Sequence, residues 1–240
     1  MPRLYIDLPL ASGIAVTLPD EASRHAQVLR LQPGDALMLF DGCGGEYAAT
    51  VSKMGKRSVE VTVGDHDPVE RESPLQLTLI QAVAAAERMD YAIQKATELG
   101  VATIMPVNSA YTQGRMSGER AEKRLAHWRG VAVAACEQSG RTRVPQIAPV
   151  ADLADVLAAP PDAELKLLLS PRGAVPLAGL PVQASSVAVL IGPEGGLSAA
   201  EEEAARAAGF TPLLLGPRVL RTETAAATVC ALLQARYGDY

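Results

Sequence analysis

The chain has 240 residues and a formal charge of −5, from 22 Lys and Arg against 27 Asp and Glu. A 48% hydrophobic share with 20% charged residues excludes wholesale disorder, and only 4% aromatics excludes a nucleic-acid platform built on rows of stacking rings. Cys43, Cys136 and Cys230 are odd in number and far apart, which reads as free thiols in a reducing compartment; His25, His66 and His127 are equally scattered, so no metal site is expected.

The N-terminal MPRLYIDLPL lacks the charged-then-apolar pattern of a secretion signal, and no apolar run approaches the roughly 20 residues of a membrane helix. The expectation is a cytoplasmic protein without a membrane anchor. Short β-rich runs then follow at 4–8, 14–18, 36–40, 46–51 and 58–63, separated by Pro9, Pro33-Gly34, Gly42, Gly44-Gly45 and Gly55. One helical stretch interrupts them, with Asp20 as its expected cap and Pro33 beyond its end. Many short strands with one helix predict a small β-barrel over 1–70, and the polar segment 64–74 reads as a linker.

Beyond it the pattern changes to alternation. Strands are predicted at 75–83, 101–107, 164–170, 186–192 and 211–216, the last three as short apolar runs that suit buried parallel strands. Helical stretches end at Gly100, start after Ser117, and cover 198–209 and 222–236. This predicts an α/β domain over 74–240. Charge is uneven: 1–70 carries −4, 71–145 carries +3 and 146–240 carries −4. Arg115, Arg120, Lys123, Arg124, Arg129, Arg141 and Arg143 fall in the basic segment, which reads either as a solvated helix face or as a phosphate-contacting stripe.

Two strand ends carry the chemistry. In VAVLIGPEGGLSAAEEE, a buried strand ends at Ile191, Gly192, Gly195 and Gly196 make a tight loop, and Ser198 with Glu201 forms a capping box. The segment is either a turn that needs positive φ or a loop that lets a ligand approach the backbone. No phosphate-loop motif is present, and Glu201, Glu202 and Glu203 would repel a phosphate, so a cationic or neutral ligand fits better. In TPLLLGPRVLRTETAAATVCALLQ, a second strand ends at Gly216-Pro217, and Arg218 and Arg221 lead into a helix opened by Thr222 or Thr224. Those arginines read as local salt bridges or as crevice residues.

GPEGGLS followed by LLLGPRVLRTETA resembles the ribosomal RNA small-subunit methyltransferase E family of the SPOUT, or trefoil-knotted, superfamily. RHAQVLRLQPGD, KATELGV and ACEQSGR match in the family's order, so the resemblance covers nearly the whole chain. One departure stands before the KATELGV helix, where the family usually has Lys-Gly and this chain has Ala85-Ala86.

The resemblance implies a PUA-like or OB-like barrel before an α/β domain that ends in a deep trefoil knot, a homodimer, and methylation of a uridine N3 in 16S rRNA of the small ribosomal subunit. S-adenosylmethionine is the implied donor. Leu169, Leu190, Ile191, Leu215 and Leu220 are expected to line an adenine slot, with Gly192, Gly195, Gly196 and Gly216 giving backbone access. Glu194, Thr222, Thr224 and Ala225 complete the expected cofactor set. Arg221 is the first candidate to stabilise a uridine anion and Arg141 the second, and Glu223 or Glu137 would take the proton if burial raised its pKa. Arg24, His25, Arg30, Arg141 and Arg143 are expected to bind RNA. The alternatives are a ribose 2′-O methyltransferase, which shares GPEGG but carries an SLN-type signature in place of RTETA, and a non-catalytic RNA-binding protein.

Overall fold

Two units of structure emerge from the computed structural model, which describes all residues 1–240: Met1–Glu72 with Val133–Val144, and Ser73–Ala132 with Pro145–Tyr240. The sequence-derived boundaries, 1–70 and 74–240, differ from this division chiefly in 133–144, which pack with the first unit.

The first unit contains β1 (Arg3–Tyr5), β2 (Ala15–Thr17), α1 (Asp20–Val28), β3 (Ala36–Phe40), β4 (Glu46–Met54) and β5 (Val59–Asp67). They form a five-stranded sheet in the order β1-β3-β4-β5-β2, antiparallel except for the β1–β3 pair. Alternation sorts the strands by face: Val59, Val61 and Val63 of β5 are buried while Thr62 between them is exposed. Leu4, Leu37, Leu39 and Val51 join them, and Ala22 and Ala26 place α1 on the same core. The N-cap of α1 is Pro19 rather than Asp20, which lies in the first turn and suits the helix dipole there. The buried Ser23 hydroxyl donates to the Leu18 carbonyl (2.9 Å) and accepts the Val59 N–H (3.2 Å), tying α1 to β5.

The segment read as a linker runs as the end of β5 up to Asp67, and its residues 70–72 are held by charge. Arg141, 5% exposed, pairs with Glu72, and Arg143 pairs with Glu70 at 3.2 Å. Glu46 receives Arg3 at 2.8 Å and Arg71 at 3.1 Å. Burial works to raise the Glu46 pKa, but hydrogen bonds from Arg71 and Arg3 outweigh it and hold the carboxyl below the usual carboxylate range.

The second unit continues with β6 (Gln76–Ala82), α2 (Ala86–Glu98), β7 (Thr103–Asn108), α3 (Gly118–Ser139), β8 (Gln146–Ile147), β9 (Ala151–Asp152) and α4 (Leu153–Ala158). It ends with β10 (Leu165–Leu169), β11 (Val175–Pro176), β12 (Ser186–Ile191), α5 (Ala199–Ala207), β13 (Thr211–Leu214) and α6 (Thr222–Tyr237). Residues of α3 from 133 onward belong to the first unit. The sheet order is β11-β13-β10-β12-β6-β7-β8, with β9 also on β7, and every pair is parallel. The apolar runs become its central strands, with Val187 to Leu190 fully buried. Between β10 and its two neighbours the chain switches sides: β12 lies on one flank and β13 on the other, so their loops diverge at the carboxyl edge. No helix is long and apolar enough to cross a membrane.

Candidate active site

That switch point holds a cavity of about 570 Å³, walled by the segments that follow three parallel strands. Ser170, Pro171 and Arg172 follow β10, Gly192 to Leu197 follow β12, and Leu215 to Arg221 follow β13. Thr222 and Ala225 at the start of α6 close one side, and Arg88 of α2 reaches the rim.

Local chemistry fixes each wall. After β12, the Ser198 capping box starts α5: its hydroxyl accepts the Glu201 N–H, and the Glu201 carboxylate accepts the Ser198 N–H at 2.8 Å. Gly192 is obligatory, because a Cβ there would lie 2.8 Å from the Gly196 backbone carbon. Gly216 has φ +99, where side chains are strained, and open space lies where its Cβ would be. After β10, the Arg172 N–H donates to the Ser170 hydroxyl, which itself donates to Glu202 at 3.1 Å.

A buried chain links the loops. Gln81, the register partner of Ile191, donates through Nε2 to the Thr222 hydroxyl (2.9 Å), and Thr222 donates to the Gly192 carbonyl (2.7 Å). Glu194 accepts the Ala85 N–H (2.9 Å) and pairs with Arg88 (3.0 Å). Burial works to raise the Glu194 pKa, but the backbone N–H groups and Arg88 outweigh it and hold the carboxylate ionised. The Ala85-Ala86 departure thus sits where α2 is latched to the glycine loop through main chain.

The cavity gathers Leu169, Ile191, Gly192, Glu194, Gly195, Gly196, Leu215, Gly216, Leu220, Thr222 and Ala225 of the expected cofactor set. Leu190 is corrected: strand alternation turns it into the core on the opposite face from Ile191, beside Ala205 and Phe210. Thr224 is exposed on α6 and lines no wall. Arg221, exposed and the N-cap of α6, lines the cavity without an ion-pair partner. Glu223 is not among the lining residues, and its Oε2 is buried without a hydrogen-bond partner.

Arg141, the second candidate for the chemical step, is buried and paired. It belongs to the first unit, where Glu72 engages its buried guanidinium and Arg3 donates to its carbonyl. Glu137 lies there too, accepting the Tyr5 N–H (3.0 Å) and meeting His25 Nδ1 (3.1 Å). Burial raises its pKa. Arg24 and Arg30 are exposed on the same unit, Arg30 at φ 58, and Arg143 is exposed but paired with Glu70. Sequence reasoning missed Arg88, Ser170, Arg172 and Glu202. The Ser-Pro-Arg-Gly turn after 164–170 was the available signal for the β10 wall.

The walls have room for a partly apolar ligand of nucleoside size. They offer leucine side chains, open backbone at Gly216, two carboxylates, Glu194 and Glu202, and the arginines Arg88, Arg172, Arg218 and Arg221, of which Arg88 is paired with Glu194. No cluster of His, Cys, Asp or Glu is placed to hold a metal.

Comparison with known proteins agrees with this geometry. Residues 71–234 match the model of an RNA methyltransferase domain, and residues 18–64 match an RNA methyltransferase PUA domain. The ribosomal RNA small subunit methyltransferase E of Buchnera aphidicola is 31% identical over all of this chain and 98% of its own length. That of Mycobacterium bovis is 33% identical over 93% of this chain and 87% of the relative. Among solved structures, the Neisseria gonorrhoeae ribosomal RNA small subunit methyltransferase E bound to S-adenosylmethionine has 40% identity and a TM-score of 0.96, covering 100% of this chain and 99% of that one. A Legionella pneumophila methyltransferase with bound S-adenosylmethionine has 40% identity and a TM-score of 0.96, covering 99% and 98%.

Proposed function

Because the chain belongs to the ribosomal RNA small subunit methyltransferase E family, and so is an RNA methyltransferase, we propose that it methylates N3 of one uridine in 16S rRNA with S-adenosylmethionine as donor. The observation that carries this reading is the cavity at three strand ends with Arg221 on its wall.

The cofactor supplies a methyl group activated by a sulfonium. Leu169, Ile191, Leu215 and Leu220 give an apolar slot, while the open backbone at Gly216 allows close approach. Glu194 neutralises Arg88 and lowers the cationic field around the slot. Uridine N3 becomes nucleophilic only when its proton leaves. A permanent cation beside O2 or O4 stabilises the anion and lets solvent take that proton, which is the role assigned to Arg221. Holding N3 in line with the methyl carbon then supplies much of the rate. Thr222 orients the loop by fixing the Gly192 carbonyl.

The β13 loop and α6 form the trefoil knot. The protein works in the cytoplasm on the small ribosomal subunit as a homodimer, which the apolar hollow lined by Leu177, Val182, Leu232 and Ala235 supports. Arg24 and Arg30, exposed on the PUA unit, contact RNA.

The test is nucleoside analysis of RNA after incubation with labelled S-adenosylmethionine. N3-methyluridine is the expected product. A 2′-O-methyl nucleoside would move the protein to the ribose-methylating class, and no product with intact RNA binding would make it a binding protein.

A further inference from the structure

We propose that the loop from Asn108 to Met116 is a platform for a single-stranded segment of the RNA substrate, with Tyr111 stacking on a base and Arg120 meeting a backbone phosphate. This rests on the RNA methyltransferase reading above and names a contact surface within it.

The loop is built, not slack. Asn108, 7% exposed, closes it at the base: its side-chain amide donates to the Met116 carbonyl (3.0 Å) and accepts the Met116 N–H (2.9 Å). Inside it, the Ser109 N–H donates to the Thr112 hydroxyl (2.9 Å) and the Thr112 N–H to the Ser109 carbonyl (3.1 Å). A third tie reaches the active site. The Ala110 N–H donates to Glu201 Oε1 (2.7 Å), and the other oxygen of that carboxylate caps Ser198. Residues 109–112 are therefore held against the start of α5, directly after the glycine loop.

Tyr111 rests on that glycine loop. A Cβ added to Gly195 would come within 3.1 Å of the Tyr111 Cβ and 3.6 Å of its Cδ2, so the tyrosine side chain itself lies against a wall of the cavity. The residue is nevertheless 53% exposed, so much of its surface stays open to water. An aromatic ring that already packs along one edge on a pinned loop, with the rest open to water, has little further freedom to lose when a base stacks on it. Every base has a π-face, so this platform does not require a particular sequence.

The charge beside it is of the matching sign. Arg115 is engaged by Asp152, and Lys123 by Glu119 at 2.7 Å. Arg120 has no carboxylate partner, and its guanidinium lies 3.5 Å from where a Gly114 Cβ would be, at the edge of the loop. An exposed ring with a free guanidinium beside it is the combination that binds single strands through stacking and phosphate contact. Arg124 and Arg129 extend the free cationic charge along α3.

The test measures equilibrium binding of 16S rRNA across a salt series, with S-adenosylmethionine affinity measured separately. Tyr111→Ala is expected to weaken RNA binding by about 5- to 100-fold, Tyr111→Phe to stay within about twofold, and Tyr111→Leu to behave like the alanine variant. Arg120→Ala should weaken binding evenly and lower the salt slope by about 1. Cofactor affinity stays unchanged throughout.

Three results would overturn the proposal. They are wild-type RNA binding by Tyr111→Ala, as a protein-docking surface would give; full rescue by leucine, which would make the ring a packing element; and a fall in cofactor affinity equal to the fall in RNA affinity. The binding assay is independent of methyl transfer. Wild-type protein that binds but does not methylate would sink the proposed function alone.

Discussion

Two arginines that look alike in the sequence part company in the fold. Arg221 stands at the N-cap of α6 on the cavity wall with no carboxylate partner, whereas Arg141 is buried against Glu72 in the other unit. Arg221→Lys keeps the charge and loses the planar fork, so turnover should fall by about 10²–10³ while cofactor affinity stays constant. Single-turnover kinetics beside calorimetry would separate these effects, and equal losses in both would make Arg221 a binding residue. Arg141→Ala should instead cost roughly 3–5 kcal/mol of stability by leaving Glu72 uncompensated. Chemical denaturation reads that cost, and the cofactor affinity of the folded fraction should not change. The place of Arg221 beside the crevice was legible because it sits between a glycine-bearing strand end and a helix start. Arg141 was not, because its partner, Glu72, lies far away in sequence and a basic run gives no hint of burial.

At the scale of elements, the glycine loop depends on a hydroxyl outside it. Thr222 joins β6 to the loop through Gln81 and the Gly192 carbonyl, at 6% exposure. Thr222→Val conserves shape but leaves a buried amide and a carbonyl short of a partner, at a cost of about 1–3 kcal/mol. The expected result is a lower melting temperature together with weaker cofactor binding; a change in stability alone would show that the chain does not shape the loop. The capping box Ser198–Glu201 was readable because both partners lie within one turn. The Thr222 chain was hidden because it needs the strand order, which puts β6 beside β12. Leu190 shows a subtler miss: an unbroken apolar run signals a buried strand but not which residues face the ligand.

For the whole molecule, alternation of strands and helices announced the parallel sheet, and the early cluster of short strands announced a separate first unit. The placement of β12 and β13 on opposite flanks of β10, which creates the crevice, is a property of long-range pairing and left no local trace. The packing of residues 133–144 with the first unit left no local trace either, since they continue a helix that starts in the other one. The charge clamp on 70–72 gives the first unit a pH dependence. Partial burial tends to raise Glu46 and Glu70, but their hydrogen bonds and arginine partners outweigh it and hold both below the usual carboxylate range. A carboxyl with a depressed native pKa stabilises the fold above its unfolded value, about 4.3, and that contribution is lost as pH falls through the native value. Glu137, raised by burial, works in the opposite direction as it protonates. Melting temperature should therefore drop as pH is lowered below about 4, and the drop should be shallower in Glu46→Gln. A profile identical to wild type in that variant would show that the clamp does not contribute.

A calorimetric titration with S-adenosylmethionine decides whether the methyl donor binds among the three strand-end loops. Wild-type protein should bind one cofactor per chain. Gly192→Ala, whose Cβ would lie 2.8 Å from the Gly196 backbone, should bind at least about tenfold more weakly while keeping its wild-type circular dichroism spectrum. Undiminished affinity in that folded variant, or no binding by wild-type protein, would contradict the account.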